Sequence, residues 1–305
     1  MSIRLAMVAC LDERRSVHTV TFKRAVALFA QFWNQRRNEG GEVSIELFND
    51  NADADTAAQV AADIVEWRPH AVIGHFASAA AAAAAPIYAA MDIPLLLPAA
   101  TARHLTRSAT TYRICDHDDN YVHAIGRFCR RHDLRLDDIR HDGTVHGRSV
   151  ANALRNQAPV SDQGQSCILF SGSFRRSIEF MAECGSNERT LLLTDDALAP
   201  EIIAPAQAYG SDVFIIGLVP KPQGRDAEQL RKAYQATYGA EPGCYFWETI
   251  AAMQIAVEAR GENLQGKTWN TVLGKLRFDD ERECSPANCA AYRVTSAGGF
   301  EECEF

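Results

Sequence analysis

Residues 72–101, VIGHFASAAAAAAAPIYAAMDIPLLLPAAT, decide the fold class of this chain. The stretch reads as an apolar strand ending at Gly74, a polar turn, an alanine helix, and a second apolar strand that runs into a small polar loop. Alanine is the best helix former, and the small side chains of residues 79–85 let a helix lie close on a sheet. Pro86 has no N–H and is expected to kink or interrupt that helix. Ser78 and Thr101 put a hydroxyl at the exit of each strand. Ligands of parallel α/β sheets sit outside the carboxyl ends of the strands. A helix that starts at Ser78 aims its free N–H groups at that place, which suits a carboxylate or similar anion. Ser78 is read as helix cap and ligand contact together, so the stretch points to a small-molecule site more than to a catalytic group.

The flanks continue the rhythm. Residues 3–10 form an apolar strand, and residues 21–38 an amphipathic helix whose broad face holds Phe22, Ala25, Val26, Leu28, Phe29, Phe32 and Trp33. Gly40-Gly41 stops it. Val43, Ile45 and Leu47 alternate as a strand, residues 55–67 are helical, and strands follow at 71–74 and 95–97. This βαβαβ order predicts parallel strands with crossover helices. A second α/β block follows. Helices are predicted at 120–132, 147–157, 173–184 and 197–208, and strands at 167–170, 191–193 and 213–218. Residues 134–147 read as charged and irregular, while 225–238, 246–259 and 269–275 read as helical. The tail from Ala290 alternates as a strand and then turns glycine-rich.

The 305 residues suggest two domains, and 47% apolar with 23% charged residues is ordinary for a globular chain. The net charge is −8, and basic residues come in short pairs (Arg14-Arg15, Arg36-Arg37, Arg130-Arg131, Arg175-Arg176), which argues against nucleic-acid binding. No apolar run reaches the roughly 18 residues of a membrane span. The run from Leu5 to Leu11 is too short for a signal core and is followed by Asp12-Glu13-Arg14-Arg15. Nine cysteines, an odd number, include Cys10, Cys129 and Cys167 in apolar contexts. The expectation is a reducing cytoplasm, or the periplasm if an export signal has been trimmed.

The same residues also admit catalytic and metal readings. Ser78 could be a nucleophile served by His75, but no G-x-S-x-G elbow surrounds it. Asp195-Asp196 could pair as acid and base or hold a metal, but neighbours at a strand end point in opposite directions. The histidines at 117, 123, 132, 141 and 146 match no zinc spacing, and Cys284 with Cys289 is a lone C-x4-C. There is no dinucleotide or Walker glycine loop. No metal and no cofactor are expected. Phe246-Trp247 reads equally as cleft lining or helix core.

The order and spacing of these segments resemble the branched-chain amino-acid-binding (Leu/Ile/Val-binding) family of type I periplasmic binding proteins. Residues 72–101 with Arg103-His104-Leu105-Thr106 carry the resemblance, with Tyr112-Arg113-Ile114 followed by Asp118-Asp119, and with residues 226–256. The family fold implies an α/β chain of two Rossmann-like lobes with parallel sheets, joined by a three-strand hinge and closing on a ligand. Lobe one would be 1–114 and 245–285, and lobe two 115–244 with the tail 286–305. The resemblance implies that Ser78 binds a ligand carboxylate, that Ala99 offers a carbonyl and Thr101 a hydroxyl, and that Asp196, with Asp195 as competitor, pairs with an α-ammonium. Ser173 and Phe174 would line the pocket, and His146 stands where a tyrosine commonly closes it. Hydrogen bonds to charged groups contribute roughly 1.5–3 kcal/mol each, so splitting them between lobes favours the closed state. Two departures stand out. The charged first loop would use Arg14, Arg15, Ser16 and His18, with Phe76, to read the ligand's side chain. The 134–147 segment lacks the family's apolar strand, as though lobe two were trimmed. The family includes members without an export signal that are cytoplasmic sensors, such as an amide-sensing regulator, and the resemblance implies that kind of role here. The expected function is therefore a cytoplasmic sensor or delivery protein for a small amino-acid-like ligand. It would work with a regulatory or pathway protein partner, or as a homodimer. The alternatives are an enzyme on this scaffold acting on an amino-acid derivative, and an exported transporter receptor.

Overall fold

The computed structural model describes residues 2–14, 16–35, 42–156, 164–185, 188–284 and 289–305. The chain divides into two compact units, Met1–Asp116 with Pro220–Ala287, and His117–Val219 with Asn288–Phe305. Arg15 and the Gly40-Gly41 stop lie outside the described residues.

Unit one opens with β1 (Ile3–Ala9), α1 (His18–Gln35), β2 (Val43–Asn49), α2 (Ala54–Trp67), β3 (Ala71–Gly74), α3 (Ser78–Ala89), β4 (Leu95–Leu97) and β5 (Thr111–Arg113). The strands form one parallel sheet in the order β2-β1-β3-β4-β5. A parallel strand covered on both faces must be apolar throughout, and β1 shows why. Ile3, Leu5, Met7 and Ala9 join Phe22 and Phe29 of α1 in one core. Ala6 and Val8 join Ala61 of α2 and Ala81, Ala84 and Tyr88 of α3 in another. The alanines let α3 pack beside α2 over the sheet. Pro86 does not interrupt α3, which runs on to Ala89. It stands on the exposed face, where water can reach the Ala82 carbonyl that loses its donor.

Unit two contains α4 (Asp118–Arg131), β6 (Leu134–His141), α5 (Val145–Asn156), β7 (Gln165–Ser171), α6 (Phe174–Cys184), β8 (Thr190–Leu193), α7 (Ile203–Ala208) and β9 (Val213–Leu218). Strands β6 to β9 are parallel. The irregular reading of 134–147 is corrected: β6 is a full strand, and lobe two is not trimmed there. It lies at the sheet edge and carries paired charges along its length, with Arg135 on Asp137 at 2.6 Å and Arg140 on Asp138 at 2.7 Å. Charged edges discourage further strand pairing, and the apolar pattern is lost with them. The helix expected at 197–208 is also broken, into 3₁₀ turns Asp195–Ala197 and Pro200–Ile202 before the short α7.

The chain then returns to unit one with α8 (Gly224–Tyr238), α9 (Phe246–Ala259) and the hairpin β10 (Thr268–Thr271) and β11 (Gly274–Arg277). This corrects the expected return at 245. Ala227, Leu230 and Tyr234 of α8 belong to the core built around α1, so the crossing comes before Pro220. The helix expected at 269–275 is instead this hairpin. Trp269 and Leu276 are cross-strand partners and both are buried, so a two-residue turn reproduces a helix-like apolar spacing. Finally β12 (Cys289–Val294) pairs antiparallel with β9, and β13 (Phe300–Cys303) with β12. Phe246 and Trp247 are both buried in the unit-one core.

One buried charge pair fixes the loop after β4. The Arg113 side chain is fully covered. Its Nε donates to Glu283 at 2.9 Å, and its two amino groups donate to the carbonyls of Ala100 and Ala102, the latter at 2.8 Å. The other Glu283 oxygen accepts from the Thr106 hydroxyl at 2.9 Å. Removing one partner of a buried ion pair strands the other and costs about 3–5 kcal/mol. Arg113→Met should lower stability by about that much, read by urea denaturation through tryptophan fluorescence. Arg113→Met with Glu283→Leu should recover part of it. A single variant within about 1 kcal/mol of the parent would contradict this account.

Candidate functional site

The carboxyl ends of β1, β3 and β4 carry the unit-one candidates. At the end of β3, Gly74 has φ +134°, and a Cβ there would lie 1.8 Å from the Val8 carbonyl oxygen, so only glycine fits. His75 follows at φ +51° and donates its N–H to that same carbonyl at 2.8 Å. The chain thereby turns sharply into α3. Ser78 is the first residue of α3 and not its cap. Ala77 holds the cap position, and the Ser78 hydroxyl instead accepts from the Ala102 N–H at 3.4 Å. The structure thus brings together Ser78, Ala99 and Thr101, all buried, on a loop held from beneath by Arg113.

His75 is not available to Ser78 as a base. Its Nδ1 lies 2.9 Å from Asp50 and its Nε2 2.9 Å from the Tyr88 hydroxyl, and all three side chains are buried. With both ring nitrogens engaged, the trio braces the β3–α3 turn.

The first loop is held locally. The Arg14 guanidinium is exposed and paired with Asp12 at 3.1 Å, and the Ser16 hydroxyl accepts from the His18 N–H at 3.3 Å. The His18 ring meets Tyr245 edge-on at 5.0 Å and lies 6.3 Å from Phe76, which packs on Phe22 at 5.3 Å and Tyr245 at 5.9 Å. Tyr245 was not foreseen. It caps α9 in the left-handed region, φ +64°, and completes an aromatic wall with His18 and Phe76.

Three residues after Tyr245, Glu248 in the first turn of α9 is buried. Burial, and secondarily the charge of Asp116, push its carboxyl up to about 8. No hydrogen-bond partner reaches its Oε2.

Unit two places its candidates at the carboxyl ends of its own strands. His146, in the first turn of α5, has Nδ1 3.2 Å from Asp118 of α4 and Nε2 3.2 Å from Asp195, just after β8. Burial alone would depress the imidazole, but the Asp195 charge, the two hydrogen bonds and the Asp118 charge hold it well above the ordinary histidine range. The Tyr121 hydroxyl accepts from the Asp195 N–H at 2.9 Å and donates to the Ile216 carbonyl. Of the acidic pair, Asp195 is the buried one bonded to His146, while Asp196 is partly exposed. Ser173 and Phe174 sit at the start of α6, partly exposed.

Nothing in the sequence pattern singles out Asp142. It accepts from the Ser173 N–H at 2.8 Å and from the Thr144 N–H and hydroxyl at 2.9 and 2.7 Å. Burial would raise its carboxyl, but these bonds hold it below the usual range. It ties the turn before His146 to the loop that carries Ser173. Gly147 fits there because a Cβ would lie 2.7 Å from the Ser171 carbonyl oxygen. Among the described residues no three His, Cys, Asp or Glu side chains are set to hold a metal ion, and no helix is long and apolar enough to cross a membrane.

The raised Glu248 acid makes a stability prediction. The folded state keeps the proton that the unfolded chain sheds near its ordinary value of 4.5. Stability is therefore full below that value and falls as pH rises through about 8, by about 5 kcal/mol in all. Glu248→Gln should flatten this decline, melting above the parent at pH 8.5 but not at pH 4. Parallel melting curves of parent and variant across that range would refute it.

No protein-family model matches the chain. It is 24% identical to Leu/Ile/Val-binding protein homolog 1 of Brucella suis biovar 1, over 288 residues that cover 79% of this chain and 76% of that protein. Among solved structures, a leucine binding protein from Thermotoga maritima MSB8 superposes with a TM-score of 0.79 at 15% identity, covering 99% of this chain and 98% of that one. An ABC transporter substrate-binding protein from Desulfitobacterium hafniense, in complex with Leu, also gives 0.79, at 17% identity and with 99% and 100% coverage. At these identities the superpositions speak for the architecture: this chain has the type I periplasmic-binding-protein fold.

Proposed function

We propose that the chain binds a small carboxylate-bearing solute of amino-acid type. The observation that carries this reading is the buried Ser78–Ala102 contact at the start of α3, where Ser78, Ala99 and Thr101 sit at the strand ends with the helix N-terminus behind them. The aromatic wall of His18, Phe76 and Tyr245 stands on the same side and suits an apolar side chain. Relatives named Leu/Ile/Val-binding proteins, and a solved neighbour holding Leu, favour the same ligand class.

As to role, we read the chain as a sensor or delivery protein. All nine cysteines are free thiols, which favours a reducing compartment such as the cytoplasm. The second reading is a transporter receptor, favoured by a neighbour that is an ABC transporter substrate-binding protein.

The test is calorimetry and thermal shift with branched-chain amino acids, their amides and their 2-oxo acids. One of these should raise the melting temperature. Ser78→Ala or Thr101→Val should weaken that solute roughly ten- to a hundredfold, the loss of one hydrogen bond to a charged group, without altering the fold. Silence across the whole panel would sink the reading.

A further inference from the structure

The helix that carries Ser78 has little of its own to fix its register. The buried residues of α3 are Ser78, Ala80, Ala81, Ala84, Ala85 and Tyr88. Alanines pack closely, but apolar contact is not directional, and a face of methyl groups can slide or turn on a sheet with small loss. Tyr88 is the one large side chain in that set. Helical side chains lean toward the helix N-terminus, and the Tyr88 hydroxyl meets Nε2 of His75, just ahead of the helix, at 2.9 Å. Nδ1 of the same ring meets Asp50 at 2.9 Å. Asp50 is itself tied down at the carboxyl end of β1. Its N–H donates to the Ala9 carbonyl at 3.2 Å, and its other carboxylate oxygen accepts from the Ala52 N–H at 2.9 Å. His75 thus joins the last turn of α3 to the ends of β1 and β2. The backbone agrees. His75 has φ +51°, uncommon for a residue with a side chain, directly after Gly74 at +134°. Such conformations persist where the surroundings over-determine them, and they cluster at ligand clamps and switches. Here the His75 N–H on the Val8 carbonyl, at 2.8 Å, and the two ring contacts do so. Asp50, His75 and Tyr88 are each 0% exposed, so no solute touches them.

We infer that Asp50, His75 and Tyr88 are positioning residues for solute binding. They set where along the unit-one sheet α3 begins, and through it the place of the Ser78 hydroxyl and of the helix N–H groups, before any solute arrives. This rests on the solute-binding reading of unit one and names what sets its affinity. A helix free to shift spends only part of its time with Ser78 in place, and the apparent affinity falls by that fraction.

The experiment is calorimetry on the full chain with L-leucine and 4-methyl-2-oxopentanoate as probes, each variant shown folded by circular dichroism. Tyr88→Phe keeps the ring and loses the hydroxyl. It should weaken the probe that binds by about five- to twentyfold, the effect of one lost hydrogen bond felt through α3. His75→Asn tolerates the left-handed turn but cannot reach Tyr88, and should weaken it by at least as much. The double variant should lose no more than the worse single one, because both act through one contact. Ile64→Val trims the same core by one methyl group and should leave the affinity within about twofold. Without any probe, hydrogen exchange followed by NMR should be about tenfold faster in Tyr88→Phe at Ala81, whose N–H donates to Ala77 in the first turn of α3, and at Ala102, which is bonded to Ser78, but unchanged at Ala61 of α2. Exchange at Ala81 and Ala102 that matches the parent overturns the inference with no probe needed. A probe that binds Tyr88→Phe as tightly as the parent also overturns it, as do losses that add in the double variant or an Ile64→Val that weakens binding equally. Each of these leaves the solute-binding reading standing. If neither probe binds the parent, the solute-binding reading fails for these two acids, and the positioning role falls with it.

Discussion

A guanidinium removed from water loses hydration that its neighbours must replace bond for bond. Arg113 does this with Glu283 and two backbone carbonyls, and the shape of the unit-one site follows from that replacement. The carbonyls belong to Ala100 and Ala102, so the loop that carries Ala99 and Thr101 is pinned by the same side chain. The carboxylate comes from the return segment, some 170 positions along the chain. A loop of small residues such as this has little side-chain packing of its own. Its conformation is imposed from below, by a charge pair that exists only when both parts of unit one have come together.

The two sheets were legible in the sequence because burial on both faces leaves a plain signature. The strands β1, β3, β4 and β7 to β9 are short apolar runs, the edge strand β2 shows instead as an alternation of Val43, Ile45 and Leu47, and the alanine helix could be placed to within a residue of its start. What escaped notice did so for physical reasons. β6 sits at an edge and wears charges, so its pattern vanished. The β10–β11 hairpin buries Trp269 and Leu276 against each other across a tight turn and mimics helical spacing. The position of Pro220 gave no hint that α8 belongs with α1, because that depends on which core Leu230 and Tyr234 enter.

Site residues divided in the same way. Ser78 and Thr101 could be read from their place after strands. The groups that hold them could not, since Asp50, His75 and Tyr88, or Arg113 and Glu283, are far apart in sequence and meet only in the fold. Asp195 and Asp196 are adjacent and chemically identical, and only the structure distinguishes the buried member that grips His146 from its partly exposed neighbour.

Glu248 carries a consequence of another kind. A carboxyl that titrates near 8 when folded and near 4.5 when free is protonated in one state and bare in the other at neutral pH. Folding of this chain therefore draws a hydrogen ion from its surroundings. The heat measured on unfolding includes the heat of the buffer that absorbs that ion, so calorimetric enthalpies in phosphate and in Tris will differ by their ionisation heats, though the protein and its folded structure are the same.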